Sequence, residues 1–508
     1  LSQVVAYDQT PTDLPVGELL DWLLFSCTAR YPSSTLRVFW DLDDAVSSIT
    51  KQLSDDARRT LSQPPHRIRL GSYRLYYIPS KVFSIGKSGE EANFFSLDQY
   101  FPEDLKPRSL SELQRKADLL MTALSDLGIP SPTTLSSPVA CFKASGLLDE
   151  HQSAIPTIFD APESHLEAYE IALQCTPREW VANYQIGHWA EGDLWSTDIA
   201  SAYPFHASQL IDLRDCSFSR SNIMDETAYY GFLEGDFTVY PDHPLAFCSP
   251  FLTDRGDGTL VNFTGTVPNY PCLLDEVRIL YRHGLGEFRL KSGWFVKPLN
   301  GVRPNVPLNV LMTQLYDRRG GHQGMSNEMS NLVSYIVKRV MTGIIGKLLE
   351  AYKDDDGNIT KYGDLYNPIY HALVTTRTRL QVFDFLVQNE ITRDELVHIG
   401  VDGVRATRYI HLPDQAPMGR WRSADSQPTF VLSPGAIITP YRNFKRTGYV
   451  DLLVECLTHP MAYQLGNDPS NPIDLHKLFL NQTRSFGVLP VTGERLLNMR
   501  CTSYPVEL

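Results

Sequence analysis

The chain has 508 residues, 43% of them hydrophobic and 21% charged, with a formal net charge of −13. That length exceeds one simple core and implies about two to four domains. No apolar run reaches the roughly 18 residues of a membrane span, and eight cysteines without a C-x-x-C pair argue against a zinc ribbon or a disulfide framework and fit a reducing cytosol. The acidic balance excludes a uniformly basic surface, so positive charge is local: Lys338, Arg339 and Lys347 in one cluster, Arg442, Lys445 and Arg446 in another.

In chain order, residues 1–150 read as an α/β unit. Val4 to Tyr7 and Leu36 to Trp40 are predicted strands, Glu18 to Phe25 and Ala45 to Leu53 helices, and Tyr73 to Pro79 with Val82 to Ile85 a hairpin. Leu113, Ala117, Leu120, Leu124 and Leu127 share one face of a helix over 110–127. Residues 151–193 form a connector. Strands are expected at Phe232 to Tyr240, Leu260 to Thr266, Glu287 to Leu290 and Gly293 to Val296. A helix over Asn309 to Arg319 ends in Arg318 and Arg319, and the next carries Lys338, with Leu332, Val333, Ile336, Val340 and Ile344 supplying its buried side. Lys353 to Tyr362 is a polar hairpin, Asn367 to Leu386 a helix with Pro368 at its start, and Leu452 to Gln464 a further helix.

Three stretches carry chemistry. Leu194 to Leu210, LWSTDIASAYPFHASQL, places Asp198 at a strand end. Lys338 to Lys347 reads KRVMTGIIGK, and His398 to Thr407 reads HIGVDGVRAT with β-branched flanks. The string D-x-x-S-x-Y-P at Asp198 resembles motif A of the family B DNA polymerases. KRVMTGIIGK resembles motif B, keeping Lys338 and Gly346 but holding Thr342, Gly343 and Ile345 where the family has Asn, Ser and Tyr. HIGVDGVRAT resembles motif C, with Asp402 at the second acid and Gly400 in place of the first. The order and spacing, 140 residues from Asp198 to Lys338 (338 − 198) and 64 from there to Asp402 (402 − 338), suit that fold.

The resemblance implies a mixed α/β (α+β) right-hand polymerase with an N-terminal exonuclease-like, RNase H-like domain. Its parts are the exonuclease-like domain at 1–150, connector at 151–193, first palm segment at 194–308, fingers at 309–350, second palm segment at 351–448 and thumb at 449–508. It implies template-directed nucleotidyl transfer on two Mg²⁺ or Mn²⁺ ions, because in-line displacement at phosphorus is clamped by ions about 4 Å apart. Asp198, Asp402 and the Ile199 carbonyl are the implied metal ligands. Lys338 neutralises the triphosphate, and Tyr203 packs under the sugar. Ser201, Arg318, Arg319 and Thr342 complete the nucleotide site; Gly346, Lys445 and Arg446 face nucleic acid. Arg377 or Arg379 supports the acids. Partners are a DNA template-primer, dNTPs and, given room for an insertion between motifs A and B, a priming protein or replication partner, with no membrane. The expected place is the cytoplasm, that of the host for a viral protein.

The exonuclease motifs are incomplete. Asp8-Gln9-Thr10 lacks the Glu of D-x-E; Asp41, Asp43 or Asp44 stands for the second motif; Asp118 follows Gln114 where the third has Tyr. An inactive exonuclease fold is expected, unless the first motif precedes Leu1. Two other readings stand beside the polymerase: a catalytically degenerate polymerase-fold protein that binds nucleic acid or a partner, and a primer-independent or RNA-synthesising polymerase.

Overall fold

A computed structural model describes residues 3–7, 14–25, 35–62, 66–101, 105–148, 155–176, 179–254, 260–320, 326–353, 359–424, 426–433, 436–439, 500–502 and 506–507. The chain forms two compact units: residues 1–157 with 305–366, and residues 158–304 with 367–508. Asp8, Thr10, Lys445, Arg446 and most of the expected thumb lie outside the described residues. No described helix is long and apolar enough to cross a membrane.

The first unit opens with β1 (Gln3–Tyr7), α1 (Val16–Phe25), β2 (Thr35–Phe39), α2 (Leu42–Thr50), α3 (Asp55–Ser62), β3 (Arg67–Leu70), β4 (Tyr73–Ile78), β5 (Val82–Lys87), β6 (Glu90–Ser96), α4 (Leu110–Asp126) and α5 (Pro138–Ala144). The six strands form one sheet in the order β1-β2-β6-β5-β4-β3. β1, β2 and β6 run parallel; β6 to β3 is an antiparallel meander. Leu19, Leu20, Leu23 and Leu24 of α1 and Leu42, Val46 and Ile49 of α2 recur at helical spacing and share one core with Phe39, Leu75, Phe83 and Phe94.

Among the described acids assigned to the exonuclease motifs, Asp41, Asp43 and Asp118 hold structural hydrogen bonds. Asp41 caps α2, accepting from the amides of Asp43 and Asp44. Asp43 accepts from the Tyr77 hydroxyl and from Ser80. Gln114, where the third motif has Tyr, accepts from the Ala6 amide at 3.1 Å and donates to the Val4 carbonyl at 3.2 Å, tying α4 to β1. Its amide also donates to Asp118 at 3.0 Å.

The second unit continues with α6 (Leu166–Cys175), β7 (Val181–Asn183), β8 (Gln185–Trp189), β9 (Trp195–Ile199), α7 (Ala202–Ser208), β10 (Cys216–Ser221), β11 (Tyr230–Val239), β12 (Leu252–Asp254), β13 (Leu260–Leu273), α8 (Leu274–Arg282) and β14 (Gly286–Pro298). β10-β14-β11-β13-β12 is an antiparallel sheet. The two short strands expected at 287–290 and 293–296 are one. Glu234 pairs with Ser292 and Gly235 with Leu290, so Lys291 is a bulge residue that mimics a break in the sequence pattern.

Residues 305–366 return to the first unit as α9 (Val306–Gly320), α10 (Asn327–Lys347), β15 (Ala351–Lys353) and β16 (Ile359–Tyr362). The expected fingers therefore share a unit with the N-terminal residues. α10 packs on α5 and α4, and Arg115 grips Glu328 through two bonds of 2.8 and 3.0 Å. Gly343, where motif B has Ser, is a close-approach residue: a Cβ there would lie 2.8 Å from Val139 Cβ. Gly343→Ala is expected to lower stability by about 1–2 kcal/mol, overpacking outweighing the gain in helix propensity. Val139→Ala in the same chain should restore the thermal midpoint; an unchanged midpoint in the single variant would show that no contact is made.

The second unit then closes with α11 (Pro368–Gln388), β17 (Leu396–Gly400), β18 (Gly403–Ala406), β19 (Trp421–Ala424), β20 (Thr429–Ser433), β21 (Ala436–Ile438), β22 (Arg500–Thr502) and β23 (Val506–Glu507). α11 starts as its sequence predicts, with Asn367 accepting from the Tyr370 amide and Pro368 in the first turn. It is buried nearly all round, which makes it a core helix rather than a surface one. The sheet that holds Asp198 has the order β19-β9-β18-β17-β7, antiparallel throughout. The stretch expected to be connector thus supplies β7, an edge of this sheet.

Candidate active site

Asp198 is the penultimate residue of β9, the second strand of that sheet. On one side its register partner is Gly403 of β18, on the other Arg422 of β19. β9 ends at Ile199 because Ser201 turns the backbone left-handed (φ 50°), after which α7 begins with Tyr203 and Pro204 in its first turn.

β17 and β18 pair Gly400 with Gly403, leaving Val401-Asp402 as a two-residue turn. Val401 has φ 58°, a strained value for a β-branched residue. The strain is held by bonds from both turn amides, Val401 to the Trp180 carbonyl at 2.8 Å and Asp402 to the Gly400 carbonyl at 2.7 Å. The Ile199 amide donates to the Asp402 carbonyl at 2.9 Å, so the two acids, 204 positions apart (402 − 198), sit on adjoining backbone segments.

Gly400 stands where motif C has its first acid. A Cβ there would lie 2.8 Å from His398 Nε2. His398 is buried, with Nδ1 2.6 Å from Asn183 Oδ1, and burial holds its imidazole well below the ordinary value, so it is neutral. A side chain at 400 therefore competes with a packed histidine.

Around Asp198 the dominant contact is Arg422. Its Nε donates to Oδ1 at 2.9 Å and its second terminal nitrogen to Oδ2 at 2.7 Å, a bidentate fork. The Tyr203 hydroxyl donates to Glu179 Oε1 at 2.9 Å. Burial, then the negative charges of Glu179 and Asp402, push this phenol upward, so it stays protonated. His206 Nε2 lies 2.9 Å from Gln381 Oε1, and the Gln381 amide donates to the Gly419 carbonyl at 2.8 Å. Gly419 in turn donates to the Ala200 carbonyl at 2.7 Å, so α11 anchors the turn that follows Asp198. Burial first, then Arg377, holds His206 down at about 4.

The structure brings Asp198, Ile199, Ser201, Tyr203 and Asp402 together in the second unit. Lys338, Arg318, Arg319, Thr342 and Gly346 belong to the first unit. There Lys338 is exposed on α10, in an otherwise apolar-backed helix. Arg318 donates to the Leu127 carbonyl at 3.1 Å and Arg319 to Ser334 Oγ at 3.3 Å. The Thr342 hydroxyl turns back to the Lys338 carbonyl at 3.0 Å, while Gly346 is open to solvent. Lys445 and Arg446 lie outside the described residues. Arg377 pairs with Asp275 at 2.9 Å and Arg379 with Glu276 at 2.7 Å, both on α8.

Arg422, Glu179, Gln381 and the His398–Asn183 pair were not foreseen. Arg422 lies in GRWRSA, where only its cross-strand neighbour gives it meaning. As donors for a divalent ion, two carboxylates and a carbonyl are the right chemistry, since Mg²⁺ takes one or two carboxylates and fills its remaining positions with water and phosphate oxygens. Among the described residues no group of three or more His, Cys, Asp or Glu forms a ready cage. The set fits an ion once the guanidinium leaves Asp198.

No protein-family model and no curated protein sequence matches the chain. Solved structures do. Phi29 DNA polymerase complexed with primer-template DNA and incoming nucleotide substrates aligns over 86% of this chain and 87% of its own, at 12% identity and TM-score 0.50. The same polymerase complexed with single-stranded DNA gives the same coverage and identity with TM-score 0.52. The chain thus shares the mixed α/β fold of Phi29 DNA polymerase.

Proposed function

We propose that the chain is a template-directed DNA polymerase of the family B type, extending a primer with dNTPs. The observation that carries this reading is the 2.9 Å bond from the Ile199 amide to the Asp402 carbonyl, which sets Asp198 beside the β17–β18 turn. The similar Phi29 structures hold primer-template DNA, single-stranded DNA and nucleotides, and a DNA template-primer is the proposed partner here. A priming protein is a second proposed partner.

Asp198, Asp402 and the Ile199 carbonyl hold the proposed Mg²⁺ or Mn²⁺ ions. Such ions supply charge neutralisation and alignment of the attacking and leaving oxygens. Lys338, with Arg318 and Arg319, neutralises the triphosphate and Thr342 binds the nucleotide, for which Arg318, Arg319 and Thr342 exchange their present bonds. Ser201 binds the nucleotide beside Tyr203, and Gly346, Lys445 and Arg446 face the nucleic acid. The test is primer extension on a short primed template with Mg²⁺ or Mn²⁺, using dNTPs and NTPs separately. Extension with dNTPs supports the reading; none with either set of nucleotides and either ion refutes it.

A second reading, a polymerase fold that binds without catalysis, draws on the Arg422 fork over both Asp198 oxygens and on Gly400. The same assay separates the two.

Tyr203 is proposed to exclude the 2′-hydroxyl. Its ring leaves no volume for one more oxygen, and overpacking a filled site costs about 1–3 kcal/mol. Tyr203→Ala should therefore relax dNTP-over-NTP selectivity in kcat/KM by roughly ten- to a hundredfold. Tyr203→Phe keeps the ring and loses only the Glu179 bond, so it should select as the wild type does. An unchanged ratio in a folded Tyr203→Ala variant removes the gate. A wild type that prefers NTPs favours the RNA-synthesising alternative.

Residues 1–150 are proposed to lack 3′–5′ exonuclease activity, because Thr10 stands where the first motif has Glu, and Asp41 and Asp43 serve as a cap and a loop anchor. The chain should leave a labelled single strand intact in Mg²⁺; shortening that Asp118→Ala abolishes would overturn this.

A further inference from the structure

We propose that Arg422 is a built-in counter-ion of the site: its guanidinium occupies Asp198 in the ion-free protein and yields the carboxylate to a divalent cation, so that Arg422 sets the affinity for the ion. This rests on the reading of Asp198 as a metal ligand.

The sheet itself makes the pair. Asp198 and Arg422 are direct register partners on β9 and β19, so their side chains emerge on the same face at cross-strand distance. On the other flank, Gly403 offers no side chain at that position. Other charged groups near this face include Arg405, opposite Ser196 and two positions down the strand, Asp402 at the turn, and Glu179, which holds the Tyr203 hydroxyl. The fork closes on both carboxylate oxygens and sets a positive charge against each, so an ion that approaches Asp198 meets the guanidinium's charge even at the lone pair each oxygen keeps, and binds best once the fork opens. A guanidinium cannot be deprotonated out of the way, so the exchange must be a displacement.

Exposure decides whether displacement is easy. The Arg422 and Asp198 side chains are 34% and 35% exposed, so water screens the pair and can solvate the departing guanidinium. The Arg379–Glu276 pair of the same unit is 1% and 0% exposed and has no such exit. The site therefore carries a neutralised carboxylate when empty, which avoids repulsion between Asp198 and Asp402, at the cost of weaker ion binding.

The test uses Mn²⁺ alone, titrated into the full chain without DNA or nucleotide and followed by calorimetry and by the spin-resonance signal of free Mn²⁺. Far-UV circular dichroism checks that each variant is folded. Arg422→Gln is expected to tighten the Asp198-dependent site by about two- to fivefold. Arg422→Lys keeps the charge but loses the fork, and should show a smaller gain in the same direction. Asp198→Asn should remove the site in either background. If an Asp198-dependent Mn²⁺ site exists and Arg422→Gln leaves its affinity unchanged, the counter-ion proposal is wrong while the metal reading stands. If Gln tightens binding and Lys equals the wild type, the charge acts at a distance and the fork does not compete, which also overturns the proposal. If neither wild type nor Arg422→Gln shows a site lost in Asp198→Asn, the metal reading fails and takes the proposal with it.

Discussion

Asp198→Asn should reduce primer extension by about 10³-fold or more, with the protein still folded. The amide keeps the shape of the carboxylate and removes its charge. A group that stabilises developing charge in a preorganised site is typically worth about 10²–10³ in rate, and an anchor of the ions themselves should reach the upper end. Stability should barely change, since the partly exposed Arg422 pair is worth about 0–1 kcal/mol. Asp402→Asn should fall similarly, and the double variant should be little worse than either, because groups that act as one unit are not additive. Extension within tenfold of wild type in a folded Asp198→Asn variant would remove Asp198 from the chemistry.

Arg379→Met is expected to cost about 3–5 kcal/mol of unfolding free energy, the usual penalty for leaving a buried charge uncompensated. Glu276 is fully buried, and its other oxygen already accepts from the Leu273 amide at 2.9 Å as the cap of α8. With Arg379 gone the carboxylate keeps that bond and loses the 2.7 Å ion pair. Adding Glu276→Gln should recover most of the loss, because the amide can still cap the helix without a buried charge. The measurement is the urea midpoint of the unit that holds both residues. A midpoint that does not move would show the pair to be already solvated.

What the sequence conveyed follows from what is local in it. Helices with an apolar stripe and a capped start, such as 110–127 and 367–386, lie where their periodicity puts them. Asp198 and Asp402 could be picked out because each sits in a strand-turn string with its own pattern. The rest depends on pairings between distant segments. The ion pairs of Arg377 and Arg379 could not be read, because α8, whose Asp275 and Glu276 bind them, lies about a hundred positions earlier and announces nothing about α11. Lys291 and Ser292 broke an alternation that a bulge had interrupted without ending the strand. Motif B looked eroded at Gly343, where packing against Val139 leaves no room for a side chain.

The register of β9 has a consequence in time. Asp198 is made long before its neighbours: Gly403 follows 205 residues later (403 − 198) and Arg422 follows 224 later. At ribosomal speed that gap lasts about 10–40 s. Closing a loop of that length costs about 5 kcal/mol in chain entropy, but β10 to β14 lie wholly inside it and can assemble first, drawing its ends together. Synthesis order thus makes the sheet around Asp198 a late event, dominated by contacts of high sequence separation, the kind that fold slowly. A nascent chain released before residue 403 would carry the first acid with no strand to receive it. The arrangement around Asp198 is expected to become complete only after β17, β18 and β19 have emerged.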